Sequence, residues 1–108
     1  MSRTGPKPRR VALSGDLTMR GVGKAHGALS AALSKHPSVV VAIDPAAAVD
    51  LTFVQLIYSA RKSAADADRD FALAAPASDG LLEVLRRGGF LAGEGARSFW
   101  LHDGEAPQ

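Results

Sequence analysis

Cysteine is absent from this sequence of 108 residues. Its absence excludes disulfide bonds, a thiolate nucleophile and thiolate metal ligands, while it says little about the compartment. The sequence also lacks any apolar run near the ~20 residues that a membrane-spanning helix needs, and no apolar segment follows its basic N-terminus. We therefore expect one soluble, cytoplasmic domain that does not insert directly into a membrane.

Acidic residues are absent from the first ten positions. Four of the 13 Lys and Arg stand there, at Arg3, Lys7, Arg9 and Arg10, so the rest of the chain carries nine against eleven Asp and Glu. A mildly acidic domain with a basic arm lacks the charge distribution of a nucleic-acid-binding surface, so we expect no nucleic-acid partner. Because Pro6 and Pro8 oppose helix formation, we interpret residues 1–8 as a flexible basic arm.

Strands and helices alternate in the predicted order of elements. Apolar runs predict strands at residues 9–14, 38–44 and 71–75, with an edge strand at 98–101. Apolar residues at helical spacing predict one helix from a Thr18 cap to Ser34, a second over residues 51–65, and a third from a Ser78 cap to Gly88. The strand at 38–44 is apolar throughout, so we expect it to be buried on both faces.

This alternation predicts an α/β domain over residues 9–101, followed by a polar tail at 102–108. We expect a small, mostly parallel or mixed sheet of about four strands with three main α-helices. A chain of this length is long enough for one modest core and too short for two.

The start of the second helix is the most informative segment. There Asp50 and Thr52 bring a carboxylate and a hydroxyl to the positive end of a helix, where a phosphate group would be held well. A purely structural interpretation stays open beside this one, because Thr52 and Gln55 fit a capping box and Asp50 is an alternative cap. Leu51 and Phe53 are not easily buried together at one helix start, so we expect one of them to be exposed.

Four segments, in this order and spacing, resemble the STAS family, the domain of bacterial anti-sigma-factor antagonists. They are the strand and Gly-acid-Leu-Thr entry at 12–18, the strand ending in Asp at 39–44, the Asp50-Leu51-Thr52 set, and the strand at 71–76 followed by Leu85, Gly89 and Phe90. The family has Asp-Ser-Ser or Asp-Thr-Ala before its second helix. The resemblance covers residues 11–90, and the chain departs from it where Leu51 replaces a small polar residue and Phe53 replaces a glycine.

The resemblance implies a non-enzymatic regulatory module without a cofactor, which docks onto a protein partner. In the family the third residue of the Asp-Ser-Ser set is phosphorylated by a serine/threonine kinase, and this position falls on Thr52. The implied partner is an anti-sigma factor or a histidine-kinase-like serine/threonine kinase, in sigma-factor or chemotaxis signalling. The expected docking face combines the helix start with the loop after the first strand: Gly15, Asp16, Thr18, Asp50, Leu51, Phe53 and Gln55.

A second role within the same family stays open. STAS subunits of bacterial lipid-transport ABC complexes are accessory proteins, and the same face would then pack permanently on the transporter ATPase. The sequence does not decide between the two roles, nor whether the protein forms a homodimer.

Enzymatic and metal-binding interpretations find little support in the residues. Asp44 ends a strand, as the phosphoaccepting Asp of a receiver domain does, but Asp16 is the single acid after the first strand, where a receiver needs a pair to hold Mg²⁺. The three histidines, His26, His36 and His102, do not have the spacing of metal ligands. No nucleophile–base pair can be assembled from the motifs, so we expect no catalytic residue and no metal site.

Overall fold

Three parallel strands form the main sheet of the protein. The computed structural model describes residues 8–93 and 95–102. The elements in chain order are β1 (Arg9–Leu13), β2 (Asp16–Leu17), α1 (Val22–Lys35), β3 (Ser38–Ile43), β4 (Ala48–Val49), α2 (Leu51–Asp66), β5 (Asp70–Leu73), α3 (Asp79–Gly88) and α4 (Ala96–Leu101). The main sheet has the order β1-β3-β5, and β2 and β4 pair in parallel as a small second sheet. The predicted α/β class is confirmed.

Helices α1 and α2 lie on the same face of the main sheet. Both crossovers, from β1 to β3 and from β3 to β5, move in one direction, and right-handed crossovers then place both helices on one side. Val39 and Val41 of β3 face these helices and are buried, whereas Val40 and Ala42 on the other face are half-buried. The expectation that β3 is buried on both faces was therefore wrong.

The entry into α1 differs from the predicted cap. The helix begins at Val22, and Thr18 forms a turn before it, in which the Thr18 carbonyl accepts from the N–H groups of Gly21 and Val22. The turn is tight because a Cβ on Gly21 would lie 1.9 Å from the backbone oxygen of Asp16. The helix ends as expected, since His36 before Pro37 leaves the helical region.

Helix α2 buries one stripe of side chains against the sheet. The stripe contains Phe53, Val54, Ile57, Ala60 and Ala64. Three of these, Phe53, Val54 and Ile57, have no accessible surface, and they join the buried leucines of α1 and α3 in one core. The predicted helix and its apolar face are confirmed.

The C-terminal part of the described chain closes the sheet with a helix. Residues 98–101 belong to α4, so the expected edge strand was wrong. Trp100 is 2% exposed, its carbonyl accepts from Ala77 N–H at 2.7 Å, and Phe99 stacks on Phe71 with ring centroids 6.0 Å apart. His102 Nε2 donates to the Leu73 carbonyl at 3.1 Å, on the side of β5 away from β3. Aromatic packing thus holds α4 beside β5, at the edge of the sheet where a fourth strand would otherwise pair.

The expected basic arm and most of the expected polar tail lie outside the described residues, at positions 1–7 and 103–108. In the part of the chain that the structure describes, no helix combines the length and apolar character needed to cross a membrane.

Candidate functional site

Asp50 organises the start of α2. Its Oδ1 accepts from the Phe53 backbone N–H at 3.3 Å, and its Oδ2 accepts from the Met19 backbone N–H at 2.9 Å. The first bond caps the helix, and the second fixes the turn before α1 to the beginning of α2. One carboxylate therefore holds together two segments 31 residues apart in the chain.

Thr52 is the second residue of α2 and is half-buried. Because Asp50 is the cap, the capping box that the sequence suggested for Thr52 and Gln55 does not form. Its hydroxyl has no hydrogen-bond partner among the residues that the structure describes. Modification of the hydroxyl would therefore break no hydrogen bond to a described residue.

The loop after β1 lies next to this helix start, as the expected docking face requires. The Gly15 carbonyl accepts from Ala48 N–H at 2.9 Å, and Asp16 and Leu17 pair with Ala48 and Val49 in parallel. Gly15 has a φ of 79°, a conformation that favours glycine. The short strands β2 and β4 thus bring Gly15, Asp16 and Thr18 to the Asp50 side of the molecule.

Asp16 is hydrogen-bonded to Thr18 at the edge of the site. Its Oδ1 accepts from both the hydroxyl and the backbone N–H of Thr18, the latter at 2.9 Å. These bonds, with a smaller contribution from the Arg20 guanidinium, lower the pKa of the Asp16 carboxyl below its ordinary value. Asp16 is therefore a fixed negative charge at the edge of the site.

Of the two apolar residues that flank Thr52, one is exposed and the other is buried, as expected from the sequence. Leu51 is 49% exposed while Phe53 is fully buried, which confirms that only one of them can enter the core. The structure thereby corrects the expected docking face at one position: Phe53 lies beneath the surface and cannot touch a partner. Gln55, one turn after Leu51, is exposed.

Two further exposed side chains at this end of the molecule were not identified from the sequence. Met19 is 72% exposed and follows Thr18, and Tyr58 is 61% exposed and lies two turns after Leu51 on α2. The exposure of Tyr58 could have been predicted from the sequence, since it falls outside the apolar stripe of its helix. Met19 gave no such signal, because its position depends on the bond from its N–H to Asp50.

A separate cavity of about 290 Å³ lies at the carboxyl ends of β3 and β5. Its lining is mostly alanine, proline and leucine, and its polar side chains are Arg10, Asp44 and Ser78. Asp44 Oδ1 accepts from Ala46 N–H at 2.9 Å. Within residues 8–93 and 95–102, no three His, Cys, Asp or Glu residues are grouped so as to hold a metal ion.

The order of elements agrees with a known family. The chain matches the family described as "Mlab, STAS domain" over residues 2–92. It belongs to the STAS family. This confirms the resemblance drawn from the sequence, and the protein has the general fold of an anti-sigma-factor antagonist. STAS domains are in general non-enzymatic modules that bind proteins. The chain has no significant match among the curated proteins or the solved structures.

Proposed function

We propose that this STAS domain is a regulatory protein-binding module whose docking is controlled by phosphorylation of Thr52. The observation that carries the proposal is that the residue capping α2 is not the residue offering the hydroxyl. Asp50 caps the helix, and the Thr52 hydroxyl is left without a partner among the described residues. A kinase can then modify Thr52 without breaking a hydrogen bond to any residue that the structure describes.

Phosphorylation would change the charge of the face and leave the helix intact. A phosphate adds about 1.5 to 2 negative charges and three acceptor oxygens. The first turn of α2 stabilises negative charge by about 0.3–1 kcal/mol, while the nearby Asp50 carboxylate opposes it. These two effects on the stability of the fold oppose each other. We therefore expect phosphorylation to affect the binding of a partner at this surface more than it affects folding. The partner we propose is an anti-sigma factor or a histidine-kinase-like serine/threonine kinase.

A second candidate is a constitutive accessory subunit that packs on the ATPase of an ABC-type lipid transporter. The exposure of Met19, Leu51 and Tyr58 favours this candidate, because permanent interfaces are more apolar than transient ones. In that case Thr52 would stay unmodified and would be covered by the partner.

Intact-mass analysis of the chain, purified from its own cells with phosphatases inhibited, separates the two candidates. A phosphate located on Thr52 by fragmentation supports the switch, and an unmodified chain that co-purifies with an ATPase supports the accessory subunit. For the switch, we expect Thr52→Glu to weaken partner binding and Thr52→Ala to bind without regulation. If both variants bind like the parent chain, Thr52 is not a switch.

A further inference from the structure

Three large apolar side chains of the described chain are strongly exposed, one just before α1 and two in the first half of α2. They are Met19, Leu51 and Tyr58, and each exposes about half of its surface or more. The Met19 N–H bond to Asp50 places Met19 beside the start of α2. Leu51 and Tyr58 are seven residues apart on that helix, so they lie nearly above one another, about 10 Å apart along the axis. We call these three side chains the apolar ridge.

Acidic residues are nearly absent from the two helices next to this ridge. No Asp or Glu occurs from Leu17 to Ile43 or from Leu51 to Ala65. These two stretches contain five Lys or Arg residues: Arg20, Lys24, Lys35, Arg61 and Lys62. Asp66, at the end of α2, lies 3.9 Å from Lys62, but both side chains are more than two-thirds exposed and such pairs are weak.

Positive charge lies next to the ridge at Arg61 and Lys62, which form its basic rim. Arg20 and Lys24 line a different groove, on the β1 side of α1 together with Asp16. Tyr58 shares a shallow surface groove with Arg61 and Lys62. The two carboxylates at this end are already engaged, Asp50 by backbone N–H groups and Asp16 by Thr18.

From the apolar ridge and its basic rim we infer that the docking partner presents an acidic protein surface with an apolar depression at its centre. This inference rests on the proposed function and gives the chemistry of its partner. The ridge supplies contact area that a partner can bury, and the rim charges attract and orient an acidic surface. A phosphate on Thr52 would then stand opposite acidic groups and repel them, so the same charge pattern explains how release would occur.

The charge pattern also favours a protein over an anionic membrane. Asp16, whose pKa is lowered, remains charged at the edge of the ridge and would be repelled by a dense layer of lipid phosphates. A protein surface can place its acidic groups opposite Arg61 and Lys62 and avoid Asp16. A membrane surface cannot make that distinction.

Photo-crosslinking with the full chain in its own cells tests the inference. The crosslinker p-benzoylphenylalanine replaces Tyr58, with Arg86 on the exposed side of α3 as the matched control position. We expect one protein to crosslink at 58 and not at 86. That protein is then purified, and its affinity for the unmodified chain is measured by calorimetry at low and high salt.

Three affinity changes are expected with the purified partner. Binding weakens about tenfold between about 50 and 500 mM NaCl, because the salt screens exposed charges. Lys62→Glu weakens binding about fivefold or more, and Tyr58→Ala about tenfold, while Arg86→Glu has less than about a twofold effect. Binding that is unaffected by salt and by Lys62→Glu overturns the inference, as does the absence of a protein crosslinked specifically at 58. Sedimentation with phosphatidylglycerol vesicles that is lost in Tyr58→Ala and Lys62→Glu also overturns it, in favour of a membrane.

Thr52→Glu, measured against the same partner, separates failure of this inference from failure of the proposed switch. If the ridge and rim variants weaken binding while Thr52→Glu binds normally, the acidic partner stands and the switch fails. If Thr52→Glu releases the partner while Lys62→Glu has no effect, the switch stands and the acidic partner is overturned.

Discussion

Replacing Asp50 by alanine tests which residue caps α2, and the answer decides whether Thr52 is available for modification. The substitution removes the cap bond to Phe53 N–H and the bond to Met19 N–H. Loss of an N-cap costs about 0.5–2 kcal/mol, and the second bond, which is solvent-exposed, adds a fraction of the usual ~1 kcal/mol. We expect Asp50→Ala to lower the free energy of unfolding by about 1.5 kcal/mol, which lowers Tm by roughly 6–12 °C.

Thr52→Ala should have the opposite sign. Its hydroxyl has no partner among the described residues, and alanine is a better helix former than threonine by up to about 0.6 kcal/mol. Asp50→Ser is the matched control, because serine can cap the helix but is too short to reach Met19, so it should recover most of the loss.

Urea unfolding gives these differences directly. The single tryptophan, Trp100, is buried and serves as the fluorescence probe, and circular dichroism at the helical band provides the second probe. A Thr52→Ala variant destabilised as much as Asp50→Ala would show that Thr52 is the cap, and the argument for a free hydroxyl would fail.

Three other predictions concern the core, the charge at Asp16 and the turn before α1. Trp100→Ala should cost about 3–5 kcal/mol in urea unfolding followed by circular dichroism, whereas the exposed Tyr58→Ala should change stability by less than about 0.5 kcal/mol; equal losses would contradict the burial of Trp100. The folded-state pKa of Asp16 is depressed, so its carboxylate stabilises the fold above its unfolded pKa, and this stabilisation is lost as the pH falls through the folded pKa. Asp16→Asn should therefore be less stable than the parent at neutral pH and converge with it in acid, as seen in urea midpoints measured across that range; a pH-independent difference would argue against the charge. Gly21→Ala should be strongly destabilising, because its Cβ would meet the Asp16 carbonyl, while Gly27→Ala, in open space within α1, should stabilise by about 0.5–1 kcal/mol; thermal melts of the pair check both signs.

The sequence was sufficient for elements whose own side chains decide their conformation. The stripe of Phe53, Ile57 and Ala60 predicts α2, and Pro37 ends α1 wherever the rest of the chain lies. The segment at 98–101 was misassigned because four apolar residues suit an edge strand and a buried helix turn equally well. Here the packing of Phe99 on Phe71, and of Arg61 over the Phe99 ring, selects the helix.

Features of the site that depend on distant parts of the chain could not be predicted. The Asp50 bond to Met19 joins residues from two different crossovers, so sequence spacing gives no sign of it. The half-exposed face of β3 has a similar origin, because it follows from the order of strands in the sheet and not from the composition of β3. In both cases a local pattern defined the element, while the topology determined what surrounds it.

Helix α4 has a consequence for how this domain is handled in the laboratory. The family match stops at residue 92, so a fragment cut at that boundary would omit Ala96–Leu101 entirely. Such a fragment would lose the large indole side chain that fills this corner of the core and would leave the outer backbone groups of β5 open to pairing with other molecules. Poor solubility or fibrous aggregates from that shortened fragment would reflect the missing cover on the sheet and would say nothing about the docking face.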